Sequence, residues 1–453
     1  MAGLRRSSAG GCGKHHPIAR LWSRRRLLGG FALSGWALSG GCGRHTELAT
    51  PSPEERSAAA QADEDFAGLA GFCDGVPEIA ADEYAARRGR LCERIREAGF
   101  DAILVEAGAS LFYLTGVRWG LSERPLLFLL PVDGEPRWIG PAFEAGTLRE
   151  QADGIGSLEL WEEHEGAYER ALSGKSGGGL MRVAVDPAMR LFVVEGLRLA
   201  AVGVEVTIDP GLLRAARMIK SPAELALLRR ANEATKAALA EVSRAVAPGM
   251  RESEIAAMVR AAQRSAGLGE IWALVLSGAN AAFPHGTEQE GVLKEGEGLL
   301  IDTGGALHGY RSDISRTWFV GAPPPEVAAA WEAVREAQSQ ALAAMRPGAS
   351  CASIDAIARA VIDGAGHGPG YRHFTHRLGH GIGLQVHEDP YLVGGEQEVL
   401  LAPGMVMSNE PGIYVAGEWG IRIEDIVAIT EYGAEVFGPR SGPRIDPFAR
   451  EDG

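Results

Sequence analysis

Leu299-Leu300-Ile301-Asp302-Thr303-Gly304-Gly305 is an apolar stretch that ends in one carboxylate and a pair of glycines. This pattern is typical of a strand that leads into a turn. The chain returns as residues 310–320, which contain Asp313. If the turn is centred between Leu307 and His308, Asp302 and Asp313 lie directly opposite each other, with Cβ atoms about 4.5–5.5 Å apart. The stretch therefore predicts a β-hairpin that directs two carboxylates to one face.

A second hairpin with the same design is predicted near the C-terminus. Glu410 and Glu424 are symmetric about Gly417, so they too should face each other. Like charges that oppose each other across a strand pair are destabilising. Burying them without partners costs several kcal/mol per ion. We therefore expect cations between the four carboxylates.

The segment between the two hairpins supplies a nitrogen ligand. Five of the eleven histidines fall between His367 and His387, and His380 lies among them with a glycine on each side. Two divalent cations would balance four carboxylates, and a neutral imidazole would complete the ligand set. Oxygen-rich ligation with one histidine favours manganese, with cobalt, iron or zinc as alternatives.

In this order the ligands resemble those of the pita-bread-fold metallopeptidases, the superfamily of aminopeptidase P, prolidase, methionine aminopeptidase and creatinase. The surrounding words Phe283-Pro284-His285-Gly286 and Arg422-Ile423-Glu424-Asp425 match as well, and Tyr113-Leu114-Thr115-Gly116 resembles the creatinase-type N-terminal domain. The resemblance implies a metal site with two divalent ions whose ligands are Asp302, Asp313, His380, Glu410 and Glu424.

The same resemblance implies roles for individual side chains. Asp313 and Glu424 would bridge the two metals, Asp302 would complete one metal, and His380 and Glu410 the other. Glu410 would also shuttle a proton. His376 and His387 would stabilise the oxyanion, and His285 would lie near the leaving nitrogen. Substrate contacts are expected from His285, His387 and Arg422, although a supporting salt bridge is an alternative for Arg422. Trp272 and Trp318 are expected in the core.

The implied activity is release of the N-terminal residue from Xaa-Pro peptides. Some prolidases carry an arginine directly after the stretch that corresponds to His387-Glu388-Asp389-Pro390, where this chain has Tyr391. This difference favours an Xaa-Pro aminopeptidase over the alternative, an Xaa-Pro dipeptidase (prolidase). A creatinase-like C–N hydrolase or a non-catalytic binding protein is an alternative of another class, but such relatives have lost metal ligands that are present here.

Alternation of strands and helices predicts an α/β N-terminal domain over 78–214. Antiparallel strand pairs between helices predict an α+β catalytic domain over 215–440. The intervening Ser221-Pro222 with Glu224 is typical of a helix start. Residues 43–77 read as a linker and 441–453 as a tail. The predicted fold is thus an α+β pita-bread catalytic domain behind an α/β creatinase-type domain.

Residues 1–42 read as an export signal. Arg24 and Arg25 precede two leucines and an apolar stretch that is too short for a bilayer of about 30 Å. They resemble a twin-arginine signal, which predicts a periplasmic or cell-envelope location. Membrane attachment is expected only through the less favoured lipidation of Cys42.

The remaining partners follow from charge and from the resemblance. A net charge of −14 argues against nucleic acid and against an anionic membrane surface as partners. Proline-containing peptides are the expected substrates, and the resemblance implies a homodimer. Cys73 and Cys92 are expected to be unpaired thiols, because no spacing supports a disulfide framework.

Overall fold

The structure, a computed structural model, describes residues 66–173, 180–395, 399–442 and 448. The predicted signal at residues 1–42, including Cys42, lies outside the described residues. Among the helices of these ranges, none combines the length and the apolar composition needed to cross a bilayer.

The N-terminal half is built on a six-stranded mixed sheet with strand order β4-β3-β2-β1-β5-β6. The central strand β1 is buried on both faces: Ile103 and Val105 pack into one apolar cluster, and Leu104 packs into another. This explains why the strand reads as a continuous apolar run. The elements are α1 (Ala81–Glu97), β1 (Ala102–Glu106), α2 (Ala109–Thr115), β2 (Leu127–Pro131), β3 (Arg137–Pro141), α3 (Ala145–Gln151), β4 (Ser157–Trp161), α4 (Ala167–Leu172), β5 (Arg182–Val185), α5 (Leu191–Ala200), β6 (Glu205–Ile208) and α6 (Leu212–Met218).

The catalytic half contains antiparallel sheets between helices, as predicted. One sheet has the order β10-β8-β7 with β9 paired to β8, a second has the order β12-β11-β13-β16-β17, and β14 pairs with β15. The elements are α7 (Pro222–Ala245), α8 (Glu252–Ser265), β7 (Gly269–Ser277), β8 (Gly298–Leu307), β9 (Tyr310–Arg311), β10 (Ile314–Phe319), α9 (Pro325–Ala344), α10 (Cys351–Ile362), β11 (Gly379–Gly381), β12 (Glu388–Leu392), β13 (Val406–Asn409), β14 (Gly412–Val415), β15 (Trp419–Arg422), β16 (Asp425–Ile429) and β17 (Ala434–Val436).

The predicted start of α7 is confirmed. Ser221 caps the helix: its side chain accepts a hydrogen bond from the Glu224 N–H, while its own N–H donates to the Glu224 carboxylate at 2.9 Å. Pro222 occupies the first turn, where its missing N–H costs nothing.

The register of the first hairpin differs from the prediction. Leu307 pairs with Tyr310, so the turn is centred one residue later, between His308 and Gly309. Asp302 therefore pairs with Ser315. Asp313 precedes Ser315 by two positions and lies in the break between β9 and β10. Both positions still belong to the same face, because side chains alternate with a period of two.

The second hairpin has the predicted register. Gly412 pairs with Arg422, and Asn409 pairs with Asp425. Glu410 and Glu424 lie between these two pairs, so they oppose each other across the hairpin. Gly417 adopts φ +78° in the turn, a conformation that glycine reaches without steric cost.

A buried polar cluster joins the two halves. Arg87 of α1 donates a hydrogen bond to the Tyr310 hydroxyl at 3.1 Å and forms an ion pair with Glu224 of α7 at 3.5 Å. The Tyr310 hydroxyl in turn donates to the Glu224 carboxylate at 3.1 Å. All three residues are buried, so the two halves share part of their interior.

The predicted linker ends earlier than residue 77. Phe66, Leu69 and Cys73 are buried in the main apolar cluster. The backbone N–H of Cys73 donates to the carbonyl of Ala266, directly after α8. Apolar burial and a backbone hydrogen bond make residues 66–73 part of the folded body. Their polar, alanine-rich surroundings in the sequence masked these few apolar side chains.

The cysteine prediction is confirmed, since Cys73 and Cys92 are both free thiols. In the predicted tail, Phe448 packs edge-to-face on Trp318, with 6.3 Å between the ring centroids. Trp318 itself is buried in the core, as predicted.

Candidate metal centre

One cavity of about 580 Å³ gathers the predicted site residues. Trp272 also lines this cavity and is half-buried, so its predicted placement in the core was wrong. It shares a face of β7 with Leu274, which pairs with Asp302 and also lines the cavity. The predicted residues that line the cavity are His285, Asp302, Asp313, His376, His380, His387, Glu410, Arg422 and Glu424.

The sheets of the catalytic half together position the acidic side chains. Asp302 lies in β8, whereas Glu410 follows β13 and Glu424 connects β15 to β16. The Glu424 N–H donates to the Ser315 carbonyl of β10 at 3.0 Å, which ties the two sheets together at the site. The Glu410 N–H donates to the carbonyl of Leu378 at 2.9 Å, next to β11.

His380 enters the cluster from β11, where its glycine neighbours allow close approach. A Cβ at Gly379 would lie 2.1 Å from the Ser408 carbonyl oxygen, and one at Gly381 would meet backbone at 2.3 Å. Nε2 of His380 lies 3.2 Å from Oε1 of Glu410 and 3.6 Å from Oδ2 of Asp313. The imidazole therefore lies among the carboxylates, in the place expected for a nitrogen ligand.

Three of these side chains form a compact group that fits a metal ion. Ligand atoms of Asp313, His380 and Glu424 lie within 4.8 Å of one another. Among the described residues, no hydrogen-bond partner reaches Oδ1 of Asp302, Oδ1 of Asp313 or Oε1 of Glu424, although all three atoms are buried. Buried carboxylate oxygens without donors need a cation, so the residues present fit divalent metals.

The pKa shifts describe the same charge imbalance. Burial raises the pKa of Asp313 well above its usual value, and the nearby Glu424 and Asp302 raise it further. Burial likewise raises the pKa of Glu424, with Glu410 and Asp302 adding to the effect. Burial would also raise the pKa of Glu410, but the contacts with His380, His376 and Arg422 outweigh it and lower that pKa to about 2. Without metal, the cluster favours protons on some of its carboxylates.

Arg422 is buried, and each nitrogen of its guanidinium donates a hydrogen bond to a protein atom. Its Nη2 donates to Oδ2 of Asp302, its Nε donates to the Ser315 hydroxyl at 2.8 Å, and its Nη1 donates to the Tyr414 hydroxyl at 2.8 Å. Nη1 also reaches the Pro284 carbonyl at 3.2 Å. This geometry matches the alternative given for Arg422, a supporting salt bridge. Arg422 also lines the cavity, so the predicted substrate contact stays a prediction.

Tyr414 links Arg422 to His376. Nδ1 of His376 lies 2.7 Å from the carbonyl of Arg377, which can only accept, so Nδ1 carries the proton. Burial lowers the pKa of His376, so the ring is neutral and its Nε2 accepts from the Tyr414 hydroxyl at 2.8 Å. The predicted role of His376 as an oxyanion donor therefore needs correction, because neither ring nitrogen has a free proton. His376 positions Tyr414 instead.

His387 and His285 remain available to a substrate. The rings of His387 and His380 lie 4.1 Å apart between centroids. Burial, and then the neighbouring His380, lower the pKa of His387 to about 4, so the ring is neutral at neutral pH. Within the described ranges neither ring nitrogen of His387 has a hydrogen-bond partner. His285 is exposed where it lines the cavity.

Sequence reasoning missed four polar residues of the site: Ser315, Arg377, Ser408 and Tyr414. The hydroxyl of Ser315 donates to Oε2 of Glu424 at 2.7 Å, and that of Ser408 donates to Oε1 of Glu410 at 3.0 Å. Ser315 and Ser408 each lie two residues from a predicted ligand in the sequence. The period of two along a strand could have identified them.

Comparison with known proteins assigns both halves. Residues 226–431 match Metallopeptidase family M24, and residues 87–219 match the Creatinase/Prolidase N-terminal domain. The Mycobacterium tuberculosis protein named "Probable dipeptidase PepE" is 37% identical over 365 residues, which cover 80% of this chain and 96% of that protein. The Xaa-Pro dipeptidase of Pyrococcus horikoshii is 30% identical over 352 residues, which cover 76% of this chain and 95% of that enzyme.

A solved structure agrees with the sequence relatives. Dipeptidase PepE from Mycobacterium ulcerans superposes with a TM-score of 0.76 at 35% identity, covering 80% of this chain and 98% of that one. The identity and the coverage extend over both halves, and the predicted ligands fall within the catalytic match. The chain belongs to metallopeptidase family M24, with the pita-bread fold and a creatinase-type N-terminal domain.

Proposed function

We propose that this metallopeptidase hydrolyses the peptide bond before proline and releases the N-terminal residue. The observation that carries this proposal is the group of buried carboxylates around His380, in a cavity with uncharged histidines beside it. Relatives named Xaa-Pro dipeptidase support the choice of proline. The proline amide nitrogen carries no proton, so a site that acts on the carbonyl side of the bond suits it.

Five residues would hold two divalent cations: Asp302, Asp313, His380, Glu410 and Glu424. The oxygen-rich donor set favours manganese. When bound, such ions acidify a water and polarise the scissile carbonyl. Burial and neighbouring carboxylates raise the pKa values of Asp313 and Glu424, which favours their protonated forms in the metal-free protein. Metal binding would release these protons.

The remaining side chains handle the substrate. The lowered pKa of Glu410 keeps it ionised at neutral pH, as a metal ligand must be. The proton shuttle that we propose for Glu410 rests on the family resemblance. The neutral ring of His387 can donate one N–H to the scissile carbonyl oxygen. His285 faces the cavity and would contact the proline side of the bond.

Two subclasses fit this site. The sequence favoured an Xaa-Pro aminopeptidase because Tyr391 replaces an arginine found in some prolidases. The match to this chain spans almost the full length of the relatives that are named dipeptidase. These relatives support an Xaa-Pro dipeptidase at least as well as an Xaa-Pro aminopeptidase. The length of the preferred peptide separates the two subclasses.

The experiment combines elemental analysis with an assay. Protein purified without chelator should contain two equivalents of divalent metal and should cleave Ala-Pro, Ala-Pro-Ala or both. Ala-Ala-Ala serves as the control substrate and should be cleaved poorly. Metal-free protein that still hydrolyses a C–N bond would support the creatinase-like alternative. Protein with neither metal nor activity would support a binding protein.

We also propose export and self-association. A twin-arginine-type signal at residues 1–42 would carry the folded protein to the periplasm or cell envelope, and replacing Arg24 and Arg25 by lysines should retain it in the cytoplasm. Cell fractionation with and without this change tests the proposal. A homodimer is expected from the family resemblance, and sedimentation analysis at micromolar concentration would detect a monomer instead.

A further inference from the structure

The cavity that holds the metal centre contains two arginines with very different surroundings. Arg422 is buried, and its donors are used by Asp302, Ser315 and Tyr414. Arg377 lines the same cavity and is half-buried. In the part of the chain that the structure describes, no carboxylate or carbonyl accepts a hydrogen bond from its guanidinium. Arg377 thus offers a cation to whatever fills the cavity.

An aromatic ring holds this guanidinium in place. The Cζ atom of Arg377 lies 4.2 Å from the ring centroid of Tyr391. Stacking of this kind orients the planar guanidinium but uses none of its N–H groups. A guanidinium with a fixed plane and free donors is suited to a carboxylate, which it can bind through two parallel hydrogen bonds.

The site is close enough to the metal ligands to contact a short substrate. Arg377 precedes His380 by three residues, which is about 10 Å of extended chain and within reach of an arginine side chain. Arg377 and the predicted substrate histidine His387 line the same cavity. The proline ring fixes φ near −65°, so the C-terminal carboxylate of an Xaa-Pro dipeptide has a nearly fixed position relative to the scissile bond.

We propose that Arg377, held by Tyr391, binds the C-terminal carboxylate of an Xaa-Pro dipeptide and makes dipeptides the preferred substrates. This inference rests on the proposed function and deepens it. Some prolidases have an arginine at the position of Tyr391. In this chain Arg377 would supply the positive charge, and the Tyr391 ring would hold the Arg377 guanidinium. In a longer peptide a neutral amide replaces the carboxylate next to the Arg377 guanidinium, so the charge-assisted hydrogen bonds are lost.

The test compares Ala-Pro, its C-terminal amide and Ala-Pro-Ala on the manganese-loaded protein. The wild type should prefer Ala-Pro over the amide by about 10- to 100-fold in kcat/KM, the range for a hydrogen-bonded charge. Arg377→Met should remove this preference by lowering kcat/KM for Ala-Pro alone. Arg377→Lys should restore part of it, because lysine keeps the charge but loses the planar fork.

Two further measurements separate substrate recognition from a general defect. Arg372→Met changes an exposed arginine in the same segment and should leave all three rates unchanged. Calorimetry with an Ala-Pro analogue, in which a methylene replaces the scissile carbonyl, should show weaker binding to Arg377→Met. The amide of that analogue should bind both proteins equally.

The outcomes distinguish the two proposals. If Arg377→Met lowered kcat/KM equally for Ala-Pro and for its amide, the inference would be overturned, because Arg377 would then not bind the carboxylate. A wild type that prefers Ala-Pro-Ala would also overturn it, while the proposed Xaa-Pro cleavage would stand. A metal-loaded wild type that cleaves none of the three peptides would refute the proposed function, and the inference with it.

Discussion

Oδ2 of Asp302 accepts a hydrogen bond from Nη2 of Arg422, while the other carboxylate oxygen, Oδ1, is buried without a hydrogen-bond partner among the described residues. One oxygen is therefore oriented by protein, and the other is left for a metal. Ligands held in this way are typical of metal sites, where outer partners fix the direction of the lone pairs.

The first prediction concerns Asp302. Asp302→Ala should reduce Xaa-Pro hydrolysis at least about tenfold, because it removes a ligand and also leaves Arg422 buried without its carboxylate. Elemental analysis should show less than the wild-type metal content. Asp153→Ala, an exposed aspartate, serves as the control. Full activity together with full metal content in Asp302→Ala would refute the ligand assignment.

The second prediction concerns the Tyr414 hydroxyl. Tyr414→Phe breaks the link between Arg422 and His376, so we expect about tenfold lower kcat/KM, the scale of one hydrogen bond to a charged group. Metal content should not change, because the predicted ligands remain. Tyr432→Phe is the matched control, since Tyr432 is 99% exposed. Loss of metal in Tyr414→Phe would contradict this expectation and would show that the hydroxyl supports the ligand Asp302 through Arg422.

The third prediction concerns metal removal. Chelation should lower the free energy of unfolding by about 2.7 kcal/mol for a site that was filled at 100 times its Kd. Denaturant titrations with and without manganese measure this difference. In the double variant Asp313→Asn, Glu424→Gln, the same addition of manganese should have little effect. If the double variant responded as the wild type does, the bound metal would lie elsewhere.

The fourth prediction concerns Glu388, which forms ion pairs with Lys220 at 2.8 Å and with Arg217. Lys220 is buried, so Glu388→Gln leaves a cation without its partner, at a cost of about 3–5 kcal/mol in the free energy of unfolding. Chemical denaturation at neutral pH measures the loss. Glu150→Gln, at an exposed position, should cost almost nothing.

The effect of Glu388 should also depend on pH. Burial would raise the pKa of Glu388, but Lys220 and Arg217 outweigh it and hold the pKa below the usual 4.5. Since the pKa is lower in the folded state, the ion pairs stabilise the protein above that value and are lost as pH falls through the folded pKa. The difference in unfolding free energy between wild type and Glu388→Gln should shrink in acid. A constant difference would contradict the assignment.

The two hairpins show what the sequence could predict. The pairing around Gly417 followed from symmetry, because one glycine with positive φ marks the turn. The pairing of Asp302 was misplaced because His308 and Gly309 both adopt positive φ, at 49° and 93°, and together form a two-residue turn. Positive φ is uncommon at residues other than glycine, so the register could not be predicted from the residue types of the turn.

Contacts between distant segments were harder to predict. The ligand set could be predicted from the order of the acidic residues and histidines, since each lies in or next to a strand that the sequence pattern or its glycines mark. The partners of Tyr414 come from different parts of the chain and meet only through tertiary packing. Local periodicity identifies the face that a side chain occupies, but not its neighbours across the cavity.

The buried cluster of Arg87, Glu224 and Tyr310 bears on how the molecule can be divided. The match to the N-terminal family ends at residue 219, and the match to the catalytic family begins at residue 226. This boundary suggests that either half could be expressed and studied alone. Excision there would remove Arg87 from Glu224 and expose to water the part of the interior that the two halves share. The two halves match separate family descriptions, yet they bury side chains against each other in one common core.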